Sequence, residues 1–327
     1  MDESNLDELT SLMENSALTP DNIAGEHPRF SKYKNVRRAE ELQQKRRQEF
    51  IEHQKEARFN YSNHVRNLAL NIEDEKDHEM KDSNNESDAN LIKNTKRRKN
   101  RYADELMLSE WLVDIPETLS SDWFFVPCPV GRRCLVVASN GVTSAYSKTG
   151  CLLTQFSSFL PGGSRSCSTQ FCLLDCIFSK AQRTFYCLDL IGWRGQSVVD
   201  TEFQCRIFLM NSWLSENEIF GELTKEYPYR FVCLPYCKCE RDSMEEMMQR
   251  QFDFELDGIL FYYAFGHYHR GSTPLVGWLK AWMLPEILSV SIPQNLQKED
   301  AVTGSSRKFI DEYNTEHKQA IQVPKGD

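Results

Sequence analysis

The stretch Cys134-Leu135-Val136-Val137-Ala138-Ser139-Asn140-Gly141-Val142-Thr143-Ser144-Ala145-Tyr146 decides the fold class. Two apolar runs flank Asn140-Gly141, and that dipeptide supplies the two left-handed positions that a tight two-residue hairpin needs. An antiparallel pair is predicted here. Working outward, Trp123 to Cys128 reads as a preceding strand. Phe171 to Phe178, Thr184 to Ile191, Phe231 to Leu234 and Gly258 to Ala264 read as later strands, each an apolar run bounded by turn residues. Helices are expected near Phe203 to Ser215 and Ser243 to Gln251. Strands that follow one another with few helices between them predict an α+β class with mostly antiparallel sheet.

The 327 residues, 40% hydrophobic and 11% aromatic, suffice for one good-sized core with length left over. That domain is expected over residues 102–296, followed by a polar tail over 297–327. The net charge of -9 hides strong segregation: residues 1–26 carry seven acidic and no basic side chains, residues 27–70 eleven basic against five acidic. Residues 71–101 read as a disordered charged linker, ending in the basic run Lys96-Arg97-Arg98-Lys99. The acidic balance of the rest argues against broad, sequence-blind nucleic acid binding, which needs a basic stripe to displace counterions. Eleven cysteines, with no apolar leader, read as reduced and intracellular. No run approaches the roughly 20 consecutive apolar residues that cross a bilayer, so no membrane partner is expected.

The acidic N-terminus carries Leu6, Leu9, Leu12 and Leu18 at loose helical spacing, which suits either a short helix docking in a partner's groove or a frayed tail. From about Arg37 to Leu70 the chain holds neither glycine nor proline, which predicts a long helix. Arg37, Arg38, Lys45, Arg46, Arg47, Lys55, Arg58 and Arg66 supply its cations. Leu42, Phe50, Ile51, Phe59, Val65 and Leu68 are too sparse for a full core-facing stripe. Such a helix either meets an acidic partner or stands solvated, held by pairs such as Glu41 with Lys45 and Glu52 with Lys55.

Enzyme signatures are scarce. The chain contains no G-x-x-x-x-G-K-[ST], G-x-G-x-x-G or G-x-S-x-G. Cys233, Cys237, Cys239, His267 and His269 lack the spacing of a common zinc class, so neither a metal nor a cofactor is expected. Two tryptophan motifs stand out instead, Leu108-Ser109-Glu110-Trp111 and Pro274-Leu275-Val276-Gly277-Trp278-Leu279-Lys280. A tryptophan is either a buried core residue or a face on which a base stacks.

The runs Leu106-Met107-Leu108-Ser109-Glu110-Trp111-Leu112, Cys128-Pro129-Val130-Gly131, Phe156-Ser157-Ser158, Leu160-Pro161-Gly162-Gly163 and Gly271-Ser272-Thr273-Pro274-Leu275-Val276-Gly277-Trp278-Leu279 resemble the snurportin family. His27-Pro28-Arg29-Phe30-Ser31, Tyr61 and Asn63-His64 are similar to its importin-β-binding segment, so the resemblance spans roughly residues 27–295. It implies a nuclear import adaptor that binds the 2,2,7-trimethylguanosine cap of spliceosomal small nuclear RNAs and links the ribonucleoprotein to importin-β. Arg29 and the eight cations of residues 37–66 named above are then the importin-binding residues, and Leu6, Leu9 and Leu12 the exportin-binding ones. Their leucine spacing departs from the family's. Shuttling between nucleus and cytoplasm is implied as well.

The family's cap-binding fold is similar to the nucleotidyltransferase domain of mRNA capping enzymes and ligases, which attack with the lysine of a K-x-D-G motif. The corresponding position here reads Cys128-Pro129-Val130-Gly131, without that lysine or aspartate. A catalytically active guanylyltransferase-like enzyme is therefore one alternative, and an importin-β adaptor for protein cargo is another. For the cap, the resemblance implies Trp278 as the stacking face, since methylation at N7 makes the purine cationic. Leu108 flanks the stack, and Trp111 offers apolar surface to an N2 that has lost both hydrogen-bond donors. Ser109 meets a base edge, and Arg133 and Lys148 meet the bridging phosphates.

Overall fold

The computed structural model describes residues 36–56, 58–70, 100–216, 218–297 and 305–322. Two helices, α1 (Val36–Glu56) and α2 (Arg58–Leu70), precede the sheets. The strands are β1 (Met107–Trp111), β2 (Trp123–Pro129), β3 (Arg132–Ser139), β4 (Val142–Ser147), β5 (Leu152–Phe156), β6 (Phe171–Ser179), β7 (Thr184–Trp193), β8 (Gln196–Ser197), β9 (Arg230–Cys233), β10 (Cys237–Lys238), β11 (Leu256–Tyr263) and β12 (Gly271–Lys280). Helices α3 (Leu119–Asp122), α4 (Phe203–Ser215), α5 (Arg241–Gln249), α6 (Leu284–Leu288) and α7 (Ser306–Gln322) complete the described α-helices.

One sheet runs β1-β12-β11-β2-β10, the other β5-β4-β3-β6-β7-β8 with β9 beside β7. Among the described residues only β1 with β12 and β7 with β9 pair in parallel; the other ladders are antiparallel, in line with the α+β reading. The hairpin between β3 and β4 turns on Asn140 (φ 53°) and Gly141 (φ 83°), the two left-handed residues expected there. Burial follows the apolar runs. Phe125, Leu135, Val136, Leu173, Leu190, Leu260 and Phe261 are fully enclosed.

Five strands were not anticipated, among them the two-residue β8 and β10. β12 carries Pro274 and two glycines, residues that argue against a central strand. The proline is tolerated because it lies between Ser272 and Gly277, where the β1–β12 register slips and β11 has not yet begun to pair. β1 holds Ser109 and Glu110 in an otherwise apolar run, and β5 is short and half exposed.

The structure corrects two further expectations. The expected polar tail contains α7, whose Phe309, Ile310 and Tyr313 at helical spacing turn onto the core, with Ile310 buried. The long cationic helix is described as α1 and α2, and Val65, Leu68 and Ala69 of α2 are buried against β3, β6 and β8. The core of the sheet domain thus recruits residues assigned to the basic segment. Three apolar side chains cannot fill a stripe on one helix, but they fill a gap over a sheet. Among the described residues no helix is long and apolar enough to cross a membrane.

Candidate functional site

β1 is the edge strand that brings the first tryptophan motif beside the second. Leu108 lies opposite Ser272 and Trp111 opposite Trp278, while Ser109 falls at the slip in register and is completely buried. Trp278 is in turn opposite Leu260 of β11. Residues opposite one another share a face of the sheet, so Trp111, Trp278 and Leu260 form one row, with Glu110 and Gly277 on the other side. Gly258 makes room for the row: a Cβ there would come within 2.5 Å of Trp278 Cζ2 and 2.6 Å of its Cη2. Lys280 Nζ stands 5.8 Å from the Trp278 ring centroid and binds Asp257 Oδ1 at 2.7 Å. Trp278 itself is 1% exposed.

Between the sheets lies Arg133 of β3. Its Nε and Nη2 donate to the two oxygens of Asp175 on β6 at 2.9 and 2.8 Å, and Nη2 also donates to the Met107 carbonyl of β1 at 2.6 Å. The Tyr268 hydroxyl donates to Asp175 Oδ2 (2.9 Å) and accepts from the Met107 N–H (3.1 Å). Burial works against the arginine's charge, but attraction to Asp175 and hydrogen bonding with it outweigh burial and hold the pKa above the usual range. The forked edge expected to meet a phosphate is therefore occupied by Asp175, because a buried guanidinium with no carboxylate would be too costly to desolvate. What remains is Nη1, buried and without an acceptor among the described residues, as is the hydroxyl of Tyr262. Sequence reasoning missed Asp175, Tyr262 and Tyr268 as neighbours of this arginine; no spacing signal links residues so far apart. It also missed the second enclosed pair, Arg206 of α4 with Asp189 of β7 at 2.8 Å.

The remaining expected residues are dispersed. Leu108 and Trp111 are nearly enclosed, and Lys148 is half-buried in the turn after β4, where its carbonyl accepts from Asp104 N–H. Lys45 is exposed and pairs with Glu49 at 3.8 Å, and Arg66 is exposed. Arg46 grips Glu110 and Arg47 grips Asp114. Leu6, Leu9, Leu12, Leu18 and Arg29, residues 71–99 and the side chains of Arg37, Arg38, Lys55 and Arg58 lie outside the described residues.

Trp111 is covered from the side by α7: its ring centroid is 5.4 Å from that of Tyr313 and 6.3 Å from that of Phe309, which also meets Trp282 at 5.3 Å. Glu286 holds the start of α7 by accepting from the Ser306 N–H (2.8 Å) and hydroxyl, and those bonds depress its pKa. A depressed carboxylate stabilises the docked helix above its unfolded value of 4.5 and loses that contribution as pH falls through the lower folded value. Glu286→Ala, or acidification below that range, is expected to raise acrylamide quenching of Trp111 and Trp282. Wild-type quenching in the variant would mean that other contacts hold α7.

Family models match the chain at two places, "Snurportin1, m3G cap-binding domain" over residues 105–281 and "Snurportin1" over residues 27–67. The class is thus a cap-binding nuclear import adaptor, an RNA cap domain joined to an importin-β-binding segment. The first match covers more than half the chain, and the chain belongs to the snurportin family. Among solved structures it is similar to a mycobacterial DNA ligase D complexed with ATP and MES (15% identity, TM-score 0.39, 56% of this chain and 61% of that one). It is also similar to Chlorella virus DNA ligase-adenylate (13% identity, TM-score 0.33, 54% and 69%). The chain spans under two thirds of the first ligase's length, and likenesses so remote carry no argument about activity.

Proposed function

We propose that the trimethylguanosine cap of a small nuclear ribonucleoprotein binds on the face that carries Trp111 and Trp278. The observation supporting this is the single row formed by the two tryptophans, on a strand whose Met107 carbonyl accepts from a buried arginine that keeps one uncommitted donor. Trp278 supplies the stacking face for the cationic purine, Leu108 flanks the stack, and Trp111 meets the N2 methyl groups. Ser109 faces a base edge, and Arg133 Nη1 and Lys148 serve the phosphates. Because Trp278 is enclosed and α7 covers Trp111, cap entry displaces what lies over the rings. Arg29, Arg37, Arg38, Lys45, Arg46, Arg47, Lys55, Arg58 and Arg66 are assigned to importin-β, whose acidic concave solenoid suits a cationic helix. Leu6, Leu9 and Leu12 are assigned to an exportin, which returns the chain to the cytoplasm after each import cycle.

The same reading makes the protein a binder without catalysis. In residues 128–131, which the resemblance aligns with the nucleotidyltransferase lysine motif, the nucleophilic side chain is the Cys128 thiol, fully enclosed and pushed well above the thiol range by burial. Incubation with labelled GTP is expected to leave no covalent adduct, and an adduct would restore the enzyme alternative. The direct test is tryptophan quenching by trimethyl- and monomethylguanosine-capped dinucleotides. Tighter binding of the trimethyl cap is expected; equal or absent binding of both would overturn the site.

A further inference from the structure

One face of α1 is committed to the cap domain. Gln43, Arg46, Arg47, Phe50 and Gln54 recur at intervals of three and four and all point inward, whereas Gln44, Lys45, Gln48 and Glu49 are exposed. Each inward side chain has a specific partner. Gln43 Nε2 donates to the Trp111 carbonyl (3.0 Å) and Gln43 Oε1 accepts from the Asp114 N–H (3.0 Å), so one side-chain amide pairs with the open edge of β1 and its continuation as a further strand would. Gln54 does the same between β11 and β12, with the Phe265 carbonyl and the His267 N–H at 3.0 and 3.1 Å. The Arg46 fork meets both oxygens of Glu110 at 2.7 and 2.8 Å. Arg47 bonds the Asp114 carboxylate and its carbonyl, 5.9 Å from the centroid of Trp123. Phe50 lies edge-on to His269, centroids 5.1 Å apart.

Among the described residues this interface is made mainly of charge and amide pairs, with Phe50 on His269 and Arg47 over Trp123 as its aromatic contacts. Leaving it returns Glu110, Asp114 and both arginines to water together, so no charge is stranded in the interior when the helix comes off. A polar interface of that kind yields to a competitor offering equivalent carboxylates. We propose that the carboxylates Glu110 and Asp114 of the cap domain and the acidic surface of importin-β are alternative partners for Arg46 and Arg47, so that the receptor must displace α1 from the protein's own domain. This rests on the assignment of α1 to importin-β. The free chain then holds its import signal masked, and the apparent receptor affinity is reduced by the fraction docked.

The test uses the full chain carrying Asp114→Asn, a change on the domain side that leaves every cation of α1 in place, with Gln43→Ala as a second variant that cannot disturb the domain's interior. Amide exchange over residues 43–54 reads the docking, and titration with importin-β at fixed ionic strength reads the competition. Both variants are expected to exchange faster over α1 and to bind importin-β about fivefold tighter than wild type. Wild-type exchange would overturn the docking. Faster exchange with unchanged receptor affinity would overturn the competition. If importin-β bound neither variant nor wild type, the receptor assignment would fall and the competition with it, whereas faster exchange in the variants would leave the docking of α1 standing.

Discussion

Replacement of Asp175 by alanine is expected to lower the free energy of unfolding by about 3 to 5 kcal/mol, because it leaves the Arg133 guanidinium without a carboxylate where neither group meets water. The pair joins β3 and β6 directly and reaches β1 through the Met107 carbonyl, so the loss falls on the contact between the two sheets. Urea unfolding followed by tryptophan fluorescence checks this. A cost below about 1 kcal/mol would mean that water reaches the pair. The double change Arg133→Met with Asp175→Leu removes both charges and is expected to regain most of the stability. Cap titration of that double variant then separates scaffold from ligand contact. If Nη1 serves the phosphates, affinity falls by about tenfold or more, since a charged hydrogen bond contributes about 1.5–3 kcal/mol. Undiminished affinity would assign Arg133 to the scaffold alone.

Trp278→Ala is expected to cost about 3 to 5 kcal/mol of stability, since it empties a space enclosed by Leu260, Gly258 and the neighbouring strand. It is also expected to remove stacking of about 1–3 kcal/mol on the cap. Trp278→Phe distinguishes the two effects. A smaller ring keeps an aromatic face and most of the packing, so affinity should recover in part and the unfolding midpoint should recover further. Equal cap binding by wild type and both variants would leave Trp278 a core residue and move the stacking face elsewhere.

How much of this was legible in advance depended on the range of each signal. Asn140-Gly141 announces a hairpin because the turn's backbone requirement is met by adjacent residues. The helices near Phe203 to Ser215 and Ser243 to Gln251 likewise declare themselves locally. β12 did not, because Pro274 is acceptable only where a partner strand slips its register, and that partner lies more than 150 residues earlier. α7 was read as a polar tail because its three inward side chains amount to a helix face only once Trp111 and Trp282 stand opposite them.

By itself, then, the sequence determined the α+β class, the hairpin, the cationic character of residues 27–70, the family and the two tryptophan motifs. These are properties of residue type and short spacing. Tertiary structure alone decided that Trp111 and Trp278 share a row, that Arg133 spends its fork on Asp175, and that α1 lies on Glu110 and Asp114. Each of those rests on a charge or ring meeting a partner tens of residues away. The free energy of such a meeting depends on burial, which exists only after the chain has folded.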